Sequence, residues 1–249
     1  MKNHEFESLS GKEETLSLYK KVVELDKRIE TAESDLKVIQ ATCQNTYNIK
    51  NRKRVLRKLG HLDADNMVTI KGRVACEITT VDELLCTELV FSGAFAELEI
   101  EQIVALLSCL VFGESSSNKN KPMLREEVLA PLGLLKSTAK TIAETLNEQN
   151  VPKDVDEYVD SFKPELMDVV YAWAQQAPFA EVCRMTDIYE GSIVRAIRRL
   201  DELLSQLIKA CVLIGNKTLE VKFKQCQDRI KRDIVFAASL YTDEEVSTN

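Results

Sequence analysis

Glycine and proline are scarce in this sequence, and their scarcity limits the folds that it can adopt. The 249 residues include only 8 glycines and 5 prolines, about half of the usual share. Sheet-rich folds and βαβ enzymes need many tight turns, which depend on these residues. The sequence therefore predicts an all-α helical bundle with at most one short β segment, near residues 67–78.

Charge and motifs exclude several classes of function. The formal net charge of −7 argues against a protein that coats DNA. The glycines form no phosphate loop or GxGxxG turn, and the two histidines, His4 and His61, lie in polar segments that we expect to be exposed. We therefore predict no catalytic centre and no metal site in this chain. No apolar stretch is long enough for a membrane span.

The seven cysteines form no CxxC pair and are scattered along apolar helix faces. This distribution is typical of free thiols in a reducing compartment and predicts that they are buried.

The first predicted helix, residues 13–59, carries a narrow apolar seam. Its apolar residues recur at alternating steps of four and three, as at the a and d positions of a coiled coil. Such a stalk helix needs a partner helix, although the stripe could instead pack on the body of the protein. The seam consists of Leu18, Val22, Leu25, Ile29, Ala32, Leu36, Ile39 and Cys43.

Six cations follow within residues 50–58, and two interpretations stand side by side. Arg52, Arg54 and Arg57 could contact the phosphates of a nucleic acid. The same run could simply be a solvated helix end, where cations are favoured by the helix dipole.

The rest of the chain predicts a succession of helices. Thr80 and Glu83 resemble a capping box for a helix that reaches Val90, residues 99–112 read as the central buried helix, and Trp173 reads as a core residue. The remaining predicted elements are an extended or hairpin segment at 67–78, a loop at 115–121, helices at 123–148, 164–176, 179–185, 190–214 and 217–241, and a linker at 150–156.

A short helix, a turn and a long helix within residues 179–207 have the outline of a helix-turn-helix. Ser192, Arg195 and Arg199 share one side of the long helix, where arginines could meet phosphates or stack on bases. The alternative is surface ion pairing, since Arg198 and Glu202 are one turn apart.

Collinear sequence blocks make a more specific statement. The region 52–241 resembles the C-terminal helical (DSHCT) domain of superkiller-type RNA helicases, and in particular their nuclear branch, which serves the exosome within the TRAMP complex. The blocks are KGRVACEI at 71–78, DELL at 82–85, ALLSC at 105–109, FKPELMDVVY at 162–171, Trp173, CRMTD at 183–187, EGSI at 190–193, Arg199-Leu200 and KRDIVFAASLY at 231–241.

The resemblance implies a domain organisation. Residues 1–59 would be a tail and the returning stalk helix of the family's arch, 60–241 the DSHCT bundle, and 242–249 a disordered tail. The helicase motor domains are not in this sequence, so ATP and magnesium are expected on motor domains elsewhere, and this chain is not expected to unwind RNA alone.

The resemblance also implies site residues and partners. Arg199 matches a family arginine on the helix that touches the translocating strand, and Glu114 matches a family glutamate that faces a base, with Ser192 and Arg195 added by geometry. Expected partners are single-stranded RNA, the motor domains, and exosome and polyadenylation-complex subunits, in the nucleus or alternatively the cytoplasm. A helix-turn-helix DNA-binding protein and a scaffold that self-associates through the seam at 18–43 remain alternatives.

Overall fold

A computed structural model describes residues 12–113, 124–232 and 235 of the protein, and it confirms the all-α class. Within these ranges the only β pairing is a single antiparallel bridge between Leu62 and Val68. The helices of the described residues are α1 (Lys12–Lys58), α2 (Ile70–Glu77), α3 (Glu83–Phe91), α4 (Ile100–Val111), α5 (Glu126–Glu148), α6 (Val155–Asp160), α7 (Met167–Ala174), α8 (Phe179–Arg184), α9 (Glu190–Ile214) and α10 (Lys217–Ile230).

The chain divides into two compact units, an N-terminal unit that ends at Asn51 and a C-terminal unit that begins at Arg52. The described part of the N-terminal unit is one continuous helix, the greater part of α1. Its seam lies in solvent, because Leu18, Leu25 and Ile29 are 58%, 51% and 55% exposed. The seam is therefore an apolar stripe without a cover in the described part of this unit.

Helix α4 is the centre of the C-terminal unit, as predicted. It packs against α5, α7, α9 and α10. Ile103, Leu106 and Leu107 are fully buried, and burying each such side chain contributes about 1.5–3 kcal/mol. The side chain of Gln102 accepts a hydrogen bond from the backbone N–H of Glu99 and so begins the helix.

The α9 bounds agree with the predicted helix at 190–214, and α9 packs closely on α10. Gly215 ends α9 because its φ of +79° lies in the left-handed region that glycine adopts readily. Asn216 then begins α10, since its side-chain oxygen accepts a hydrogen bond from the backbone N–H of Leu219. The buried face of α9 consists of Ile193, Ile197, Leu200, Leu203, Leu204, Leu207 and Cys211, among others.

Trp173 is a core residue, as predicted. Its indole Nε1 donates a hydrogen bond to the carbonyl of Ile230 at 3.0 Å, and its ring meets Phe179 edge-on. The guanidinium of Arg232 lies over the same ring, 3.5 Å from its centre. These contacts fix the end of α10 to α7.

The extended segment predicted near 67–78 is wrong apart from the bridge at Val68, because residues 70–77 form α2. Thr69 is the N-cap, and its hydroxyl accepts a hydrogen bond from the N–H of Gly72. Gly72 also sits against the chain before it: a Cβ at this position would lie 2.4 Å from the carbonyl oxygen of His61. The weak alternation of the sequence did not reveal this close approach.

His61 is buried rather than exposed, with only 2% of its surface accessible. Its Nε2 lies 3.6 Å from Glu88 Oε1, and Lys71 Nζ lies 2.6 Å from the same oxygen. The polar residues around His61 in the sequence gave no sign of this packing, which joins the end of α1 to α3.

Three other predicted boundaries are corrected. Asp82, not Thr80, caps α3, because its carboxylate accepts from the N–H of Leu85. The predicted linker at 150–156 ends early, since Asp154 caps α6. Helix α7 begins at Met167 rather than at Pro164.

Several predictions fall wholly or partly outside the described residues. The continuous α10 ends at Ile230, so the remainder of the predicted final helix can be followed only in part. The loop at 115–121 and the tail at 242–249 lie outside the described ranges altogether.

The cysteines are free, as predicted, but they are not uniformly buried. Cys86, Cys109, Cys211 and Cys226 are buried, whereas Cys43 and Cys76 are exposed and Cys183 is intermediate. No helix within the described ranges combines the length and the apolarity needed to cross a membrane.

Candidate nucleic-acid interface

The N-terminal half of α9 presents three arginines to solvent. Arg195, Arg198 and Arg199 are exposed, whereas Ile197 and Leu200 beside them are buried. The helical period accounts for this division, because residues three and four apart share a face and the apolar ones face the core. The result is a cationic surface on a rigid element.

Arg199 is held against the loop between α2 and α3. Its Nη2 donates a hydrogen bond to the backbone carbonyl of Thr80 at 3.0 Å. A guanidinium has five N–H donors, and this is the one contact that Arg199 makes among the described residues. The remaining donors can therefore bind a ligand while the carbonyl orients the group.

Gln206 fixes the loop that holds Arg199. Its Oε1 accepts from the backbone N–H groups of Thr79 and Thr80, at 3.0 and 3.2 Å. Its Nε2 donates to the hydroxyls of the same two threonines, at 3.0 and 2.7 Å. Sequence reasoning missed Gln206, although it lies two turns beyond Arg199 on the same side of α9, which is the signal that could have found it.

Asp82 secures the other end of this loop. It caps α3 through one carboxylate oxygen and accepts a hydrogen bond from the Tyr158 hydroxyl at 2.9 Å through the other. Burial, together with the charge and hydrogen bond of Asp82, raises the pKa of Tyr158 far above its ordinary value. Tyr158 therefore stays protonated and ties α6 to the loop.

Ser192 and Arg195 are brought together as a bonded pair. Ser192 is buried, and its hydroxyl accepts a hydrogen bond from Arg195 Nη2 at 2.8 Å. The serine hydroxyl is thus turned toward the arginine, whose side chain is exposed. Ser192 is placed to orient Arg195.

Arg198 does not form the ion pair that the sequence suggested as an alternative. Its Nε donates to the backbone carbonyl of Val235 at 2.7 Å, and no ion pair joins it to Glu202 in the part of the chain that the structure describes. Arg198 therefore fastens a later segment of the chain to α9 and is distinct in role from its neighbour Arg199.

The predicted phosphate contacts near the end of α1 are not equivalent. Arg52 and Arg54 are exposed. Arg57 is engaged with the chain itself, because its Nε donates to Asn66 Oδ1 at 3.1 Å. The adjacent Lys58 pairs with Glu148.

Glu114, the second residue assigned by resemblance, lies outside the described residues. Its predicted role of facing a base therefore stays a prediction.

Neither the sequence motifs nor the residues that the structure describes form a site for ATP and its magnesium ion. The sequence contains no phosphate-loop motif. Over residues 12–113, 124–232 and 235, no group of three or more His, Cys, Asp or Glu side chains is arranged to hold a metal ion.

The chain is similar in sequence to several RNA helicases. Exosome RNA helicase MTR4 of Homo sapiens is 46% identical over 241 residues, which cover 97% of this chain and 23% of the human protein. ATP-dependent RNA helicase mtr4 of Schizosaccharomyces pombe is 47% identical over 91% of this chain and 19% of its own length. DExH-box ATP-dependent RNA helicase DExH10 of Arabidopsis thaliana is 50% identical over 78% and 19%, respectively. The chain thus spans about a fifth of the length of these relatives.

The match to a domain family covers the elements just described. The DSHCT (NUC185) domain matches residues 65–237, a range that begins before α2 and includes the loop at Thr79 and Thr80 and the whole of α9. This range is well over half of the chain, and the blocks that suggested the resemblance fall almost entirely within it. The chain belongs to the DSHCT domain family.

Proposed function

We propose that residues 60–241 guide single-stranded RNA as the DSHCT part of an ATP-dependent 3′–5′ RNA helicase that serves the exosome. The observation that carries this proposal is the exposed Arg199 guanidinium, held by the Thr80 carbonyl on the arginine-bearing face of α9. The names of the relatives, which are RNA helicases, support the class of ligand.

The chemistry of this face suits a strand that slides. Arg199 and Arg195 supply planar cationic groups that pair with phosphates or stack on bases without reading base edges. Thr80 and Ser192 hold these groups in place. Arg52 and Arg54 would add phosphate contacts, and Glu114 would face a base. Contacts of this kind are tolerant of sequence, as guiding many RNAs requires.

In this proposal, the ATP-binding and unwinding parts of the helicase are motor domains of the complete protein. We place ATP and magnesium there, and with them the unwinding step. We also place the complete protein in the nucleus, with exosome and polyadenylation-complex subunits as partners. The DSHCT bundle, in this proposal, covers the motor and holds the RNA that the motor pulls.

The proposal is tested on the full chain with a fluorescein-labelled single-stranded RNA. Arg199→Ala should weaken binding about 3- to 10-fold, and the slope of log affinity against log salt should shrink by about 0.7, because one phosphate contact is lost. Lys209→Ala removes one exposed cation further along α9 and is the matched control. The melting temperature should change little in both variants, since the lost hydrogen bond of Arg199 is exposed.

Two results would contradict the proposal. One is an RNA affinity that Arg199→Ala leaves unchanged or reduces no more than Lys209→Ala does. The other is tight, sequence-selective binding to duplex DNA at the same salt concentration, which would favour a helix-turn-helix regulator built on α8 and α9.

A further inference from the structure

Gln206 and Arg199 reach the same residue of the α2–α3 loop from the same helix. They are seven residues apart on α9, which is nearly two full turns, so their side chains leave one side of the helix about 10 Å apart along its axis. Gln206 contacts the backbone N–H and the hydroxyl of Thr80, and Arg199 contacts its carbonyl oxygen. Helix α9 therefore holds all three polar groups of Thr80.

The direction of the Thr80 carbonyl depends on Gln206. The loop is fixed before this point by Ile78, which is buried, and after it by Asp82, which caps α3. Between these two residues, every hydrogen bond that Thr79 and Thr80 make within the described ranges goes to Gln206 or to Arg199. Without the Gln206 side chain, the carbonyl that orients Arg199 would lose the contacts that set its direction.

The side-chain amide of Gln206 has no capacity left for a ligand. A glutamine oxygen has two lone pairs and its nitrogen has two hydrogens. The oxygen accepts from two backbone N–H groups, and the nitrogen donates to two threonine hydroxyls. Any effect of Gln206 on a bound strand must therefore pass through the residues that it holds.

An oriented arginine binds a phosphate more tightly than a free one. The long side chain of arginine loses rotamer freedom when it binds, and this loss lowers the affinity. The hydrogen bond from Arg199 Nη2 to the Thr80 carbonyl, at 3.0 Å, restricts the side chain before the ligand arrives. Holding one such side chain in advance changes an affinity by about 2- to 10-fold.

We propose that Gln206 is a positioning residue for RNA binding, which holds Thr80 so that its carbonyl orients Arg199 toward the strand. The inference rests on the proposed function, since Arg199 is the group that contacts the RNA. It adds a residue that sets the affinity without touching the RNA.

Gln227 offers a matched control on the other side of α9. It is also a half-buried glutamine, and it lies on α10. Its Nε2 donates to the carbonyl and the carboxylate of Asp201, at 3.3 and 2.8 Å, and to the hydroxyl of Ser205 at 2.7 Å. Gln227→Ala thus removes hydrogen bonds to α9 but leaves the Thr80 loop as it is.

RNA affinity of the full chain tests the positioning role, with fluorescein-labelled single-stranded RNA as the probe. Gln206→Ala should weaken binding about 2- to 10-fold, because Arg199 is no longer oriented. Gln227→Ala should leave the affinity unchanged. Thermal unfolding of both variants measures the stability that each one loses, so that a change in affinity can be compared with a change in stability.

A double-mutant cycle separates positioning from a general effect on the fold. If Gln206 acts through Arg199, Gln206→Ala should weaken RNA binding in the wild-type chain but not in an Arg199→Ala background. A purely structural role would lower the affinity by the same factor in both backgrounds.

Variants of the two threonines keep the test open if Gln206→Ala fails to fold. Thr79→Ser with Thr80→Ser retains both hydroxyls and should bind RNA like the wild type. Thr79→Val with Thr80→Val removes both acceptors of Gln206 Nε2 and should weaken binding, though less than Gln206→Ala does, because the two N–H contacts remain.

Three results would overturn the positioning role alone, with the proposed function left standing. They are an affinity that Arg199→Ala lowers but Gln206→Ala does not, equal losses in Gln206→Ala and Gln227→Ala, and a double variant whose loss is the product of the two single losses. An affinity that Arg199→Ala leaves unchanged would contradict the proposed function and overturn the positioning role with it.

Discussion

Helices α1 and α9 are both long and both carry a periodic apolar stripe, but the stripe is buried in α9 and exposed in α1. In α9, Leu200 and Leu204 are fully buried. In α1, Leu18 and Leu25 remain more than half exposed. Apolar periodicity thus shows which face of a helix needs a cover, but it does not show where the cover comes from.

The difference is one of neighbours rather than of local sequence. Helix α9 lies against α2, α4 and α10, whose apolar residues are contributed by distant parts of the chain. The described part of the N-terminal unit is a single helix and offers no such residues. The same residue type, leucine, is therefore buried in the core of one unit and exposed to solvent in the other.

The reactivity of two thiols gives the largest expected contrast between these helices. Burial, and then the nearby carboxylate of Glu220, raises the pKa of Cys211 in α9 to about 12, whereas Cys43 in α1 is exposed. A disulfide reagent should modify Cys43 at least about a thousandfold faster than Cys211, because the thiolate is the reactive form. Stopped-flow absorbance of Cys43→Ser and Cys211→Ser variants measures both rates, and a fast reaction at Cys211 would break the contrast.

Leucine truncation should give the next largest difference. Leu204→Ala removes a fully buried side chain of α9 and should lower the free energy of unfolding by about 2–5 kcal/mol. Leu25→Ala in α1 should lower it by less than about 0.5 kcal/mol in dilute protein, because the side chain is already 51% exposed. Urea unfolding followed by the fluorescence of the single Trp173 reports both values. Similar losses at the two positions would mean that α1 is covered after all.

Substitutions at two glycines test how closely the C-terminal unit is packed. Gly72→Ala should cost about 1–3 kcal/mol, since the added Cβ would lie 2.4 Å from the carbonyl oxygen of His61. Gly133→Ala, inside α5 with nothing near the added atom, should instead stabilise by about 0.5–1 kcal/mol. The same urea titration measures both changes, and a neutral Gly72→Ala would show that the loop before α2 yields easily.

The partly buried carboxylate of Glu88 should give the smallest effect, which is measured as the pH dependence of stability. Burial raises the pKa of Glu88, but His61 and Lys71 outweigh it, so the pKa lies below the ordinary value of 4.5. The stabilisation by the carboxylate is therefore complete above about pH 4.5 and is lost as the pH falls through the folded pKa. The wild-type chain should lose stability more steeply below that pH than Glu88→Gln does.

The exposed Glu24 of α1 supplies the control for this titration. Glu24→Gln removes a carboxylate that lies in solvent and should change the free energy of unfolding at neutral pH by less than about 0.5 kcal/mol. Thermal unfolding at a series of pH values is the measurement. A wild-type slope no steeper than that of Glu88→Gln would contradict the assigned role of Glu88.

The elements that could be predicted from the sequence are those whose signals are local. The bounds of α9 were predicted in full, because a buried stripe and the end at Gly215 lie in one stretch of chain. The centre of the core could be found in the same way, because residues 103–107 are apolar on every side. Helix α6 also had a local signal, Asp154 followed by Glu157, which the acidic character of the segment obscured.

The features that could not be predicted depend on distant contacts. The burial of His61 and the close approach of Gly72 in α2 to the His61 carbonyl are contacts that the local sequence pattern does not reveal. At the candidate site, the shared face of Arg195 and Arg199 follows from helical spacing alone. The carbonyl that holds Arg199 is less accessible to sequence reasoning, since Thr80 and Arg199 are 119 residues apart.

Gln206 has a mechanical consequence for the molecule. Its side-chain amide accepts from the backbone N–H groups of Thr79 and Thr80 and donates to both of their hydroxyls. A shift of these two residues would break these four hydrogen bonds. The connection between α2 and α3 then behaves as a rigid extension of α9. A displacement of α9 would therefore move α3 with it, because the connection between them does not act as a hinge.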